Sequence, residues 1–341
     1  MQLKAWIYRR LDSAYSLELV DRSEYSLQAG QIRVAIRAVS LNYRDLIALK
    51  NKAGRNVDGR IPASDGAGQV VEVGPGVKQW KIGDRVCGCF FPTWQDGPFD
   101  LRYHQHDLGG NLDGMLAEQV VIDQNGVVAI PGFLSFLEAA TLPCAAVTAW
   151  QALSVRASLS AGQTVLVLGT GGVSIFALQF ANAIGAKVIV TSSHDEKLAK
   201  AKAMGAWGLI HYERDLDWDR EVWRMTEGKG VEHIVETGGP GTLDRSMKSI
   251  AAGGTIALIG VLTGFGPPTS SLFPLLARNV TLNGIYVGSR EHFRAMNQFL
   301  ESHQIHPVVD RVFPFEQATS AFQYLENAKH FGKVVIEGAY A

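Results

Sequence analysis

Apolar and polar positions change their rhythm along this chain. Early on, short apolar runs alternate with turn residues, as in "QIRVAIRAVSL", "AGQVVEVGPGV", "DRVCGCF" and "LAEQVVI". That spacing predicts a β-rich compact sheet or barrel. Around Pro131 the texture becomes Ala- and Leu-rich and helical through "LSFLEAATLPCAAVTAWQAL", where Pro143 is expected to break or kink the helix. From Thr164 strand-like runs and helical spacings take turns: "TVLVLG", a helix to Ile184, "KVIVTS", "DEKLAKAKAMG", "GLIHY", "DREVWRMTEG", "VEHIVETGG", "LDRSMKSI", "GTIALIGV" and "VTLNGIYVG". Such alternation predicts an α/β fold, a doubly wound parallel six-stranded sheet built from βαβ units. After Gly288 come an amphipathic helix "REHFRAMNQFLES", "PVVDRVFPF", a helix to Asn327 and a closing strand "GKVVIE", read as a return to the first region. The expected division is 1–131 with 288–341, and 132–287.

Composition narrows the function class. The 341 residues are 47% hydrophobic and 19% charged with net charge −1, and no basic run favours nucleic acid or an anionic membrane surface. Ala157 to Ala186 carries no charge, a length that could span a bilayer. Gly169, Gly171 and Gly172 interrupt it and its apolar period changes there, so a membrane helix is not expected. The start, "MQLKAWIYRRLDSAYSL", shows no secretory signal. Cysteines stand only at 87, 89 and 144, an odd, low count that fits a reducing cytoplasm. Cys87 and Cys89, two apart in a strand, point to one face and cannot easily bridge.

The stretch "TVLVLGTGGVSIFALQFANAIGAKVIVTSSHDEK" carries the chemistry. Glycines between a strand and a helix let the backbone approach a pyrophosphate that the helix N-terminus then holds. Gly169, Gly171 and Gly172 supply that turn, and a second strand follows. Ser192, 23 residues after Gly169, stands where an Asp or Glu would bond the ribose 2′-hydroxyl of NAD. A carboxylate there would repel a 2′-phosphate, whereas hydroxyls can donate to one. Lys197 adds positive charge in the next helical turn. Asp195 and Glu196 begin a helix, where acids serve the dipole. The expected cofactor is NADP(H).

With "ASDGAGQVVEVGPGVKQWKIGDRV", "VSLNYRDL", "LGTGGVSIFALQFANAIGAKVI", "GSREHFRAMN" and "HFGKVVI", the chain resembles the medium-chain dehydrogenase/reductase superfamily over nearly its whole length. The resemblance implies a GroES-like β-rich catalytic domain formed from both ends of the chain, a Rossmann domain, and an active site in the cleft between them. It also implies that the zinc ligands of the alcohol dehydrogenases are lost. Asn42 replaces one Cys, Ser64-Asp65 replaces a His-Glu pair, and Cys144 alone matches. One thiol is too few for a site that needs about three protein ligands. Arg44 and Ile47 stand where a proton relay would need a hydroxyl and a histidine, and the lobe 91–114 has no cysteine. His104, His106 and Asp107 lie close together there, and the loop holding them is read as solvated. No metal is expected. The remaining likeness is to the zinc-free quinone oxidoreductase branch, which reduces quinones and activated double bonds with NADPH. Its frequent tyrosine some eleven residues after the asparagine is missing, since "KNKAGRN" stands there. That loosens assignment to the thioester and best-known quinone reductases.

Site residues follow from the resemblance by position. Thr148 lies near the nicotinamide ribose; Gly171, Gly172 and Val173 meet the pyrophosphate. Ser192, Lys197 and Tyr212 surround the 2′-phosphate, and Gly238 borders the adenosine. Ile259, Gly260 and Val261, with Tyr286, Val287 and Gly288, present backbone to the carboxamide. Lys333 could reach the phosphates or be an ordinary solvated lysine, and Tyr212 could merely cover the adenine edge. Asn42 and Tyr43 are candidates to orient substrate or supply a proton, although Asn42 could only cap a helix and Tyr43 could simply pack. Asp65 is the third candidate, with an ion pair to Arg44 as its alternative role. Cys144 reads as an inert buried thiol. The leading expectation is metal-independent hydride transfer to quinones or α,β-unsaturated carbonyls. The alternatives are a zinc-independent NAD(P)-dependent alcohol dehydrogenase or ketone reductase, and a non-catalytic dinucleotide-binding sensor or structural protein. The expected partners are a small-molecule substrate and a second copy of the chain, paired as a homodimer through the Rossmann edge strand near "VTLNGIYV".

Overall fold

Three long strands open the chain, β1 (Gln2–Leu11), β2 (Ala14–Ser23) and β3 (Gln31–Ser40). They are followed by β4 (Asp65–Val73), β5 (Arg85–Gly88), β6 (Gln119–Asp123) and β7 (Val127–Ala129). Six more, β8 (Thr164–Leu168), β9 (Lys187–Ser192), β10 (Gly208–His211), β11 (Val231–Glu236), β12 (Ile250–Leu258) and β13 (Thr281–Gly284), precede the closing pair β14 (Val309–Phe313) and β15 (Lys333–Glu337). The computed structural model describes residues 2–24, 26–267 and 271–339.

Two compact units divide the chain: Met1–Val147 with Gly288–Ala341, and Thr148–Val287. The chain re-enters the first unit at Gly288. Residues 132–147, read from the sequence as opening the second domain, group with the first. The kink at Pro143 takes the form of a π-helical turn, Leu142–Ala146, between short α-helical pieces.

In the first unit β1 and β2 pair antiparallel. A separate sheet runs in the order β14-β15-β3-β4-β5-β7, with β6 also on β3. Strand β3 is buried along most of its length because three strands border it: β4, β6 and β15. Ile32, Val34 and Ile36 on β3 join Val70, Val86, Leu116, Val334 and Ile336 in one core, each fully buried aliphatic side chain worth about 1.5–3 kcal/mol. β15 brings Lys333 and β4 brings Asp65 into that interior.

The second unit is the parallel sheet that the alternating pattern predicts, in the order β10-β9-β8-β11-β12-β13. Its core gathers Leu166, Leu168, Ile189, Ile234 and Ile256. The strand order reverses direction between β8 and β11, a topological switch point outside whose carboxyl ends ligands bind. The uncharged span at 157–186 is split into β8 and a helix, Gly172–Ile184. Among the described residues no helix is long and apolar enough to cross a membrane.

Candidate active site

In the second unit the chain leaves β8 through Gly169, whose φ of +74° suits glycine. Gly171 is the N-cap of the helix Gly172–Ile184 and carries no side chain, so the amides that open the helix receive no side-chain cap. At Gly171 φ is −77°, and a Cβ built there would meet no other atom within 4 Å. The protein's own packing therefore does not demand glycine at this position. The open space over amides that no side chain caps fits an approaching pyrophosphate, and Gly172 and Val173 line the same turn. Ser174 Oγ and Thr237 Oγ1 both donate to the Leu168 carbonyl, at 2.7 and 2.9 Å, tying the ends of β8 and β11 together at the switch point.

The residues expected on the adenosine side stand at the end of β9. Ser192 is buried; its Oγ accepts from the His194 amide at 3.3 Å, leaving the hydroxyl hydrogen for another acceptor. The Tyr212 amide donates to the Ser192 carbonyl at 3.1 Å, which places the exposed Tyr212 ring beside it. Lys197 lies half-buried on the following helix. Asp195 does not stand as a bare acid, because Arg214 grips both its oxygens at 2.9 and 2.6 Å. That pair draws the Asp195 carboxyl below its usual range and raises the arginine. Arg214 was not singled out by sequence reasoning; its signal is a cation two residues beyond Tyr212.

Glu236, at the end of β11, was also missed. Wholly buried, it accepts from the Gly238 and Gly239 amides at 2.8 and 3.0 Å, from Thr242 Oγ1 at 2.6 Å, and from Ser246 Oγ. A buried carboxylate needs such donors, and here they shape the loop containing Gly238. Ile259, Gly260 and Val261 follow β12. A Cβ on Gly260 would lie 1.7 Å from the Thr237 carbonyl oxygen, so only glycine permits the two strand ends to approach. Tyr286 is exposed, and Val287 is held at φ +56°, an outlier for a β-branched residue. Thr148 is buried at this unit's start.

In the first unit Asn42 caps the helix Tyr43–Leu49, and its amide donates to Asp45 Oδ2 at 2.8 Å. The Asn42 side chain turns elsewhere: its Oδ1 accepts from Lys333 Nζ at 2.5 Å. Lys333 also donates to the Leu41 carbonyl at 2.8 Å and lies 3.8 Å from Asp65 Oδ2. Asp65 accepts from Ser64 Oγ at 2.7 Å and from the Cys144 amide at 3.2 Å. Burial raises its pKa against the opposing pull of Lys333. The Asn42 amide, close enough to favour the ionised carboxylate, falls short of hydrogen-bond geometry to it. Burial also lifts Asp45 to about 6, with Arg44 pulling the other way; Cys144, expected to be buried, is only partly so, and desolvation still pushes its thiol up. Tyr43 keeps a half-exposed ring on the helix's first turn, and Gly288 packs against Val147.

Several expectations are corrected. Lys333 is 3% exposed and its ammonium is bound to interior oxygens, which replaces the phosphate contact and the solvated reading alike. Asp65 pairs with Lys333 rather than with Arg44. Arg44 goes to Asp107, as does Arg55 at 2.8 Å. Asp107 is only 1% exposed, so the loop read as solvated contains a buried ionic hub. His104 stacks edge-on with Phe91 and Phe99. Zinc does not fit the positions that the resemblance assigns to its ligands: Asp65 already accepts from the Ser64 hydroxyl and the Cys144 amide, and an ammonium stands among them.

The comparisons with known proteins agree with this anatomy. Residues 28–132 match the alcohol dehydrogenase GroES-like domain, and residues 172–302 match the zinc-binding dehydrogenase family. A zinc-type alcohol dehydrogenase-like protein of Schizosaccharomyces pombe is 45% identical over 318 residues, covering 91% of this chain and 92% of that protein. The 2-methylene-furan-3-one reductase of Solanum lycopersicum is 32% identical over 342 residues, 98% of this chain and 79% of that protein. Among solved structures, a protein of Sinorhizobium meliloti 1021 designated an alcohol dehydrogenase superposes with a TM-score of 0.93 at 39% identity, covering 98% of each chain.

Proposed function

Because the chain belongs to the medium-chain dehydrogenase/reductase superfamily of oxidoreductases, we propose that it is an NADPH-dependent reductase of quinones or α,β-unsaturated carbonyls that works without a metal. The observation that carries this reading is the set Asn42, Asp65 and Lys333, where an ammonium binds Asn42 Oδ1 and faces the Asp65 carboxylate at positions that the resemblance assigns to zinc ligands. Conjugated acceptors suit such a site, since they delocalise the charge that arrives with hydride. The tomato relative's named substrate, a 2-methylene-furan-3-one, carries that conjugation.

NADPH, when bound, supplies a hydride equivalent. The chain's own groups then have three tasks. The amides of Gly171, Gly172 and Val173 hold the pyrophosphate at the helix N-terminus. Ser192, Lys197, Tyr212 and Arg214 receive the 2′-phosphate, whose charge prefers hydroxyl and cationic donors. The Asn42 amide donates to the acceptor's oxygen as charge develops there, a contribution that grows in the transition state. Tyr43 carries the O–H proposed to return a proton. Register between donor and acceptor supplies much of the remaining acceleration.

A homodimer is part of the same reading. Leu272, Phe273, Leu276 and Leu282 are exposed on and beside the edge strand β13, an apolar edge suited to a second copy. Sedimentation of a single-chain mass at micromolar concentration would remove that part alone.

The test is oxidation of NADPH and, separately, NADH in the presence of chelator, against a small quinone, an enone, an enoyl-CoA and a simple ketone. Rapid NADPH oxidation by quinone or enone, with NADH poor, is expected. Preference for NADH would remove the 2′-phosphate assignment. Reversible oxidation of simple alcohols would favour a zinc-independent alcohol dehydrogenase instead. NADPH bound but never turned over would leave a dinucleotide sensor.

A further inference from the structure

The positions that would hold zinc enclose a cation that the chain itself provides. Lys333 arrives on the first residue of β15 and is almost wholly buried. Its ammonium donates to the Leu41 carbonyl at 2.8 Å and to Asn42 Oδ1 at 2.5 Å, and faces Asp65 Oδ2 at 3.8 Å. An ammonium has donors and no acceptor, so it dictates which way the Asn42 amide points. Oδ1 must face the lysine, and Nδ2 is left beside the Asp65 carboxylate but short of hydrogen-bond geometry to it, a donor that a better-placed acceptor can take. That nitrogen is buried and meets no acceptor at hydrogen-bond geometry among the described residues. The remaining carboxylate oxygen of the cluster, Asp65 Oδ1, is taken by the Ser64 hydroxyl. A dication placed here would meet a positive charge in a poorly screened interior, beside a carboxylate whose two oxygens each already accept a hydrogen bond.

We propose that Lys333 is the resident cation of this site: its ammonium stands in for the charge of a metal and clamps Asn42 so that the amide nitrogen faces the reacting oxygen. Lys333 is thus a positioning residue, and Asn42 is the group that touches substrate. The inference rests on the metal-free reductase reading and deepens it by assigning the source of the positive charge.

Two arms test it. The first compares the wild type, Asp65→Asn and the double variant Lys333→Met/Asp65→Asn, the last replacing a buried ion pair with neutral groups of similar size so that no lone charge is stranded. Thermal midpoint, NADPH affinity by fluorescence, and kcat and KM for an enone in chelator are measured. The double variant is expected to fold and bind NADPH as the wild type does, with KM little changed and kcat lower by about 10²-fold, as for a displaced hydrogen-bond donor. Asp65→Asn, which keeps the ammonium against Asn42, loses less. A double variant as active as Asp65→Asn overturns the proposal and reduces Lys333 to a counter-ion. The second arm does not depend on the variants folding: the wild type, dialysed against zinc and then chelator, is expected to retain no stoichiometric zinc. One zinc held per chain overturns the assignment. If the wild type binds NADPH but reduces no acceptor, the function proposed above fails, and zinc retention still decides the place of Lys333.

Discussion

The two units hold their polar chemistry in opposite ways. In the second, the glycine turn after β8 works through backbone amides and open space, and no side chain fills the position over Gly171. In the first, side chains meet around buried carboxylates and a buried ammonium: Asn42 with Lys333, Asp65 with Ser64, and Asp107 with the partly exposed Arg44 and Arg55. A backbone cradle can lose its ligand without losing its fold. A buried ionic network cannot lose a member so cheaply, because the partner left behind is an unpaired charge in a poor solvent for it.

That contrast is open to direct attack. The largest effect is expected from Asp107→Ala, which removes the buried carboxylate that Arg44 and Arg55 share, although Arg44 keeps the Leu108 carbonyl and the Phe90 ring. Urea denaturation should report a loss of about 3 kcal/mol, and a loss under about 0.5 kcal/mol would mean that the hub contributes little. Next comes pH. Asp45 titrates at about 6 in the folded chain against an ordinary 3.8, so the folded state keeps a proton that the unfolded state has already released between those values. Stability attributable to this group is therefore greatest below about pH 4 and falls as pH rises through 6, by up to about 3 kcal/mol. Asp45→Asn should flatten that part of the stability profile; an unchanged slope would assign it to other groups.

The second unit should respond in the opposite sense. Gly171→Val fits the local backbone, so its denaturation midpoint should stay near wild type, while NADPH affinity falls by about 10²-fold, or about 2.7 kcal/mol. Equal losses in fold and affinity would erase the distinction between the two regions. The smallest effect belongs to Arg214→Ala at the exposed rim. There the preference for NADPH over NADH should shrink by about tenfold with the midpoint unmoved, as titration calorimetry with both cofactors would show.

Legibility followed the same division. The strand-turn-helix at 164–184 announces itself because period, glycine placement and the strand that follows are local properties of the chain. The six-stranded parallel sheet was legible for the same reason, down to the split of the uncharged span at 157–186 into a strand and a helix. Glu236 was overlooked although an acid closing the apolar run "HIVE" before two glycines hints at a carboxylate bonded to backbone amides. Partners in the first unit were misjudged. Lys333 looked like a phosphate ligand or a solvated lysine, Asp65 was paired with Arg44, and Asp107 was put in a solvated loop.

By itself, then, the order of residues determined the α/β class, the parallel nucleotide-binding sheet and the glycine turn, since each depends on neighbours a few positions apart. Only the tertiary structure decided which ions meet. Residues 42, 65 and 333 are brought together by the packing of β4, β15 and a helix cap from distant parts of the chain. No periodicity specifies which buried carboxylate an ammonium will face, because a charge removed from water takes whichever partner the fold delivers.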